Sequence, residues 1–327
     1  MVQRVVAVDW SGDKGPGQRK KIWAGVWTGA AGRRSTQRIE GGSVILEAGR
    51  SRAELAGWLL ELAAETPAMV VGIDCCFSYP AWFLRERGCA SVFDFWDHVA
   101  SGHGERWLGV DCAPAERDPR FWGRPHKRPE CFSGAGLATM MRRTDMDNKI
   151  EQALDGGDAA RAALMRGITP KSPFQVGGSG SVGTGSLRAM EWLAHLHTNG
   201  FRVWPFEDAA LDPPAPKPLL VEMYTRLLTG PVKKANATAR AEYLGLRRKT
   251  DPAFYAGLPR GVIAKAKASE DAFDALVCCL EMVRGRGEFA GLHATDDELL
   301  RLEGITWRPG LVLERDLTLA LTRAGRL

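Results

Sequence analysis

No stretch of this chain stays apolar for the roughly 18 residues that would suggest a membrane span. The N-terminus has no basic region followed by an apolar one, so no signal peptide is expected and the expected compartment is the cytoplasm. The seven cysteines contain no CxxC pair, which argues against a zinc ribbon, and Cys112, His126 and Cys131 match no zinc-knuckle spacing. An odd count, with four of the seven in adjacent pairs inside apolar runs, points to reduced buried thiols rather than a disulfide framework. Gly-Lys-Ser/Thr is absent, so the glycine-rich stretch at 177–185 is not a Walker A loop. A strong charge imbalance is also missing: +5 over 327 residues, with a pI near 8.9, permits a polyanionic partner without requiring one.

What the chain does contain is a near-repeat. Val5-Val6-Ala7-Val8-Asp9 and Val70-Val71-Gly72-Ile73-Asp74 are each four non-polar residues ending on aspartate. Such runs suit buried strands, and a carboxylate at the end of one is costly unless something compensates it. Strand parity puts Val5, Ala7 and Asp9 on one face and Val70, Gly72 and Asp74 likewise. As parallel neighbours the two acids would lie side by side at the carboxyl ends of their strands, where open α/β sheets bind ligands. Taken singly, each acid would equally suit a turn cap.

Around them the pattern predicts strands at 4–10, 22–27 and 36–46, a helix from Ser51 to Glu65, and a strand at 69–77. The result is a β-β-β-α-β opening. Residues from about 80 to 200 read as a mainly helical insertion or cap within one domain spanning 1–327. The glycine-rich loop leads into a helix at 186–198, and strands follow at 201–206 and 219–225.

Further acids interrupt apolar segments. Glu222 lies within the strand 219–225, where a half-exposed position would explain it equally well. Asp271 and Asp274 follow Ser269, a natural helix N-cap, and share one helix face. Clustered carboxylates raise each other's pKa unless a cation neutralises them, and hard oxygen ligands select Mg²⁺ or Mn²⁺. Two such ions activate a water and stabilise a leaving oxygen in phosphodiester cleavage. Backbone N–H groups ahead of a helix can cradle phosphate, which makes Gly177, Gly178, Ser179 and Ser181 substrate-side candidates, with Lys171 and Ser172 beside them. Trp107, Phe121 and Trp122 stand among Arg120, Arg124, Lys127 and Arg128, an interleaving that suits stacked single-stranded nucleic acid.

Five stretches carry a resemblance: VAVDWSG (6–12), VVGIDCCFSYP (70–80), KSPFQVGGSGSVGTGSLR (171–188), LLVEMYTRLL (219–228) and SEDAFDALVCCLEM (269–282). Together they resemble an uncharacterised family of predicted RNase H-like nucleases in the ribonuclease H-like superfamily. The resemblance implies an α/β fold with a mixed sheet and a nuclease or phosphodiesterase activity on nucleic acid or nucleotide, dependent on Mg²⁺ or Mn²⁺. It implies that Asp9 bridges the metals, that Asp74 and Glu222 are further ligands, and that Asp271 or Asp274 completes the site. Thr225 departs from the proline expected at its position. Two other functions are compatible with the same core: an actin-like ATPase or phosphotransferase, and a non-catalytic binder of nucleic acid or protein.

Overall fold

The computed structural model describes residues 1–29, 39–109, 113, 117–123, 126–146, 148, 170–178 and 181–311. In chain order the principal elements are β1 (Arg4–Asp9), β2 (Trp23–Gly29), β3 (Gly42–Ala48), α1 (Arg52–Glu65), β4 (Met69–Ile73), α2 (Ala81–Glu86), α3 (Val92–His98), α4 (Gly183–Thr198), β5 (Arg202–Trp204), β6 (Leu219–Glu222), α5 (Ala237–Thr250), α6 (Arg260–Ala268) and α7 (Glu270–Arg284). Among the described residues the strands form a mixed six-stranded sheet of order β3-β2-β1-β4-β6-β5. β1 runs antiparallel to β2, as β2 does to β3, whereas β1, β4 and β6 are parallel neighbours. No helix among these residues is long and apolar enough to cross a membrane.

The chain divides into two compact units. Among the described residues, the first comprises those within 1–74, 209–292 and 307–310, and the second those within 75–208 and 293–306, with 311.

In the first unit the helices cover both faces of the sheet, and strand alternation assigns the faces. Arg4, on the face of Val6 and Val8, donates to the Leu62 carbonyl of α1 at 2.7 Å and pairs with Glu65 at 3.2 Å. On the opposite face a row of small residues, Gly25-Ala7-Gly72, crosses three strands in register. α7 lies against that row. A Cβ added at Gly25 would collide with the Ala275 carbonyl oxygen and sit 2.9 Å from Cys279 Cβ, and one at Gly72 would sit 2.7 Å from Met282 Sδ. This close approach explains why Ala272 through Val283 are all buried. It also sets the height of the acidic first turn of α7 above the strand ends. Gly25→Ala should therefore destabilise by about 1–3 kcal/mol or more, because a helix carbonyl cannot step aside. Gly72→Ala should cost less, because the methionine sulfurs around it can move. The denaturation midpoints of the two variants check this order.

Several predicted boundaries change, each for a local reason. The third strand, expected at 36–46, begins at Gly42 and runs to Ala48. Ile39 and Gly42 exchange N–H···O bonds of 2.9 Å across Glu40 (φ 46°) and Gly41 (φ 78°). These positive angles are those of a tight hairpin turn, so a turn occupies the start of the expected strand; residues 30–38 lie outside the described residues. The expected strand 69–77 stops at Ile73, and Asp74 N–H makes one more bond to the Val8 carbonyl at 3.0 Å. Cys75, Cys76 and Phe77 owe their apolar character to burial in the second unit, not to a strand. β6 ends at Glu222, because a short helix starts at Thr225. Trp307 pairs in parallel with Met223 and donates its N–H to the Glu222 carbonyl at 2.7 Å.

The second unit is built around aromatic rings. Tyr79, Phe83, Phe95, Phe121 and Phe174 pack with centroid separations of 5.1–6.0 Å, and Trp107 stacks on Phe121 at 5.2 Å. Tyr79 Oη donates to the Pro173 carbonyl at 3.0 Å, which satisfies its buried hydroxyl. α4 starts at Gly183 rather than at the predicted 186, since Ser186 is already inside the helix and donates to the Val182 carbonyl at 2.9 Å.

Candidate functional site

The register of the first unit brings the repeated aspartates together. Ala7 pairs with Gly72 and Val8 with Ile73, so Asp9 and Asp74 are adjacent at the carboxyl ends of two parallel strands. Both side chains keep partial contact with solvent although protein surrounds them. The N-terminal end of α7 adds Asp271 in its first turn and Asp274 just beyond it, on a helix capped by Ser269, whose side chain accepts from Ala272 N–H at 3.2 Å. Asp274 is fully buried. Its Oδ2 accepts from Lys234 Nζ, while its Oδ1 is buried with no hydrogen-bond partner.

Electrostatics shows how closely these groups are associated. Burial pushes Asp9 well above the usual carboxylate range; Asp274, Asp74 and Asp271 push it further, and Lys234 pulls it back. Burial raises Asp74 to about 6, with Lys234 and Thr225 opposing the rise. Asp274 is raised to about 7 by burial, against the pull of Lys234 and with the repulsion of Asp74 and Glu270. Asp271 is raised by burial and then by Glu270, while Lys234, Lys21 and a hydrogen bond with Asp9 oppose the rise. Burial lowers the Lys234 ammonium, but Asp274, then Asp9 and Asp74, outweigh that and hold it above its ordinary value. Asp9, Asp74, Asp271 and Asp274, with Glu270 beside them, thus outnumber the Lys234 ammonium and the Lys21 charge that acts on Asp271, and a raised pKa is how such excess charge is relieved without another cation. Cys278, one turn beyond Asp274, has its thiol kept protonated by burial and by these acids, which makes it an inert packing group rather than a nucleophile.

The donor set is all oxygen and suits Mg²⁺ or Mn²⁺. The unpartnered Asp274 Oδ1 is a buried acceptor of the kind a cation would satisfy. The side chains are not already drawn into a cage, however. Among the described residues no group of three or more His, Cys, Asp or Glu is arranged to hold a metal ion. Lys234 occupies the Asp274 oxygen instead.

The other candidates separate. Glu222 is opposite Ile73 in the register, so alternation directs its side chain to the sheet face away from Gly72 and α7. It is buried, and its charge is the smallest of the main influences on Asp74. Its expected place beside Asp74 as a direct ligand is not what the register gives, because a one-residue offset in a strand reverses the face. Lys171, Ser172, Gly177, Gly178 and Ser181 belong to the second unit, and Ser179 lies outside the described residues. Ser172 is committed to the backbone: it is buried, donates to the Met140 carbonyl and accepts from Phe174 N–H at 3.2 Å, so its hydroxyl is not offered to a substrate. Lys171 is exposed.

The stacking surface expected in the insertion is corrected as well. Trp107, Phe121 and Trp122 are buried in the aromatic core, and Arg120 is held by Glu86 and Asp118 at 2.6 Å each. Rings interleaved with basic residues in sequence become core and rim once folded. Cys131 is an exposed free thiol, and the other described cysteines are buried and free; Cys112 lies outside the described residues.

Two functional neighbours escape a reading by motif. Thr225 donates its N–H to Asp74 Oδ1 at 3.4 Å, and its hydroxyl also supports the charged carboxylate. A proline at this position would lack the N–H donor, so threonine here supplies a contact to the site. Lys234 resembles any surface lysine in sequence, and only the fold brings it to Asp274.

Comparison of the chain with models of protein families, with curated proteins and with solved structures finds no match.

Proposed function

We propose that the chain is a divalent-cation-dependent hydrolase of phosphodiesters, nuclease-like in its chemistry, on a ribonuclease H-like core. One observation carries the proposal: Asp9, Asp74, Asp271 and Asp274 converge from two parallel strand ends and one buried helix, and Asp274 Oδ1 is left without a partner. The sheet order, with an antiparallel β3-β2-β1 edge continued by parallel β4 and β6, supports the core assignment.

Asp9 and Asp74, with Asp271 or Asp274, would hold Mg²⁺ or Mn²⁺, which when bound supplies an acidified water and polarises a phosphoryl oxygen. The chain's own residues prepare that site. Thr225 orients Asp74 through Oδ1. The N-terminus of α7 stabilises Asp271 in its first turn. The Gly25-Ala7-Gly72 row fixes the distance from the helix acids to the strand acids.

The test is hydrolysis of bis-p-nitrophenyl phosphate and of single-stranded, duplex and branched oligonucleotides, each with Mn²⁺ and with a chelator. Cleavage of at least one substrate that requires Mn²⁺ is expected. Uniform absence of metal-dependent cleavage, together with no Mn²⁺ binding, would overturn the reading.

A further inference from the structure

Lys234 stands where a second function is needed. Its Nζ contacts Asp274 Oδ2 and lies 3.7 Å from Glu270 Oε1. Its charge also acts on Asp9, Asp74 and Asp271. The lysine backbone is tied down independently of the acids. Arg240 of α5 is buried and donates to the Lys234 carbonyl, and also to the Lys267 carbonyl at the end of α6, at 2.7 and 3.1 Å. The segment is therefore anchored by its main chain, while the ammonium ends a flexible four-carbon stem. The Lys234 side chain retains 23% exposure and that of Asp274 only 1%, so the lysine has a route toward solvent and the aspartate does not.

We propose that Lys234 is the resident counter-cation of the acid cluster, and that a divalent ion enters only by displacing its ammonium from Asp274. This rests on the divalent-cation reading above. The physical ground is exclusion. An ammonium seated on Asp274 Oδ2 stands beside the unpartnered Oδ1 that a metal would take, and two like charges within a few ångströms repel strongly even at an effective dielectric near 20. With the metal absent, the lysine keeps the buried carboxylate compensated, as a buried charge requires. With the metal present, Asp274 has a stronger partner and the amine is freed toward solvent.

The test uses the full chain and Mn²⁺ alone as probe. Mn²⁺ affinity is measured by calorimetry and by electron paramagnetic resonance on the wild type, Lys234→Met and Lys234→Arg, with thermal melts to confirm folding. Lys234→Met is expected to bind Mn²⁺ about tenfold more tightly or better, and Lys234→Arg, which keeps the cation, is expected not to gain. A second measurement needs no variant. Reductive methylation of the wild type, read by mass spectrometry, should label Lys234 several-fold faster with saturating Mn²⁺ than without, while Lys233 stays constant as the internal reference. Wild-type binding with no tightening in Lys234→Met and no change in Lys234 labelling would overturn the counter-cation and leave the metal site standing. Absence of Mn²⁺ binding by every form would overturn both.

Discussion

Asp9→Asn is expected to lower Mn²⁺-dependent phosphodiester cleavage by about a thousandfold or more, and to leave the metal-free protein as stable as the wild type or more so at pH 8. The two effects have one origin. Asp9 is disfavoured in its charged form, by burial and then by Asp274, Asp74 and Asp271. Its carboxylate is thus a liability to the folded chain unless a cation arrives, and the near-isosteric amide removes that liability together with the ligand. Asp74→Asn should behave alike in cleavage, although it also loses the charged acceptor that Thr225 N–H faces at 3.4 Å. Single-turnover cleavage with Mn²⁺ and thermal melts in chelator measure both arms. A variant that keeps wild-type cleavage removes Asp9 from the site. One that loses cleavage and melts several degrees lower assigns it a structural role.

The metal-free protein should lose stability as pH rises from about 4.5 to 8, by a few kcal/mol, the reverse of what salt-bridged carboxylates produce. Unfolded carboxylates titrate near 3.9. Folded Asp74 titrates at about 6 and Asp274 at about 7, and Asp9 and Asp271 are raised as well. Between the unfolded and folded values the native state holds more protons than the unfolded chain, so raising the pH favours unfolding. Lys234 does not offset this slope. Its folded pKa is raised, so its stabilisation is fully present below the unfolded lysine value of about 10.4 and fades only as pH rises through the folded one. Carboxylates held low, such as Asp118, Asp297 and Glu86, titrate below their ordinary values of 3.8 to 4.5 and add their slope only under acid conditions. Urea unfolding in chelator across this pH range should show the decline. Saturating Mn²⁺ should abolish it, and Asp9→Asn should flatten it. A metal-free stability that rises steadily from pH 5 to 8 would show that these carboxylates are compensated in some other way.

The local patterns were legible because their cause is local. Burial on both faces writes near-continuous Val and Ile into β1 and β4, so the two strands and their terminal aspartates could be read directly from residues 5–9 and 70–74. Ser51 and Glu54 form the capping box that starts α1, and Ser269 caps α7; both are visible as short-range chemistry. The parallel pairing of Asp9 with Asp74 needed only parity and the β-β-β-α-β order. Misreadings arose where burial had another source. Cys75–Phe77 looked like more strand because the second unit buries them, and Trp107, Phe121 and Trp122 looked like a stacking platform because their neighbours in sequence are basic.

By itself, then, the sequence determined which carboxylates end buried strands and which ones stand at the start of a buried helix. Only the tertiary structure decided which groups meet. It placed Lys234 on Asp274 across 40 residues of chain, set Thr225 N–H against Asp74 across 151, and turned Glu222 to the opposite face by its register with Ile73. The physical reason is that hydrophobic periodicity and capping act over one or two turns and leave their mark on neighbouring residues. The compensation of a buried charge is settled by whichever group the packing delivers to it, and that leaves no periodic trace in the chain.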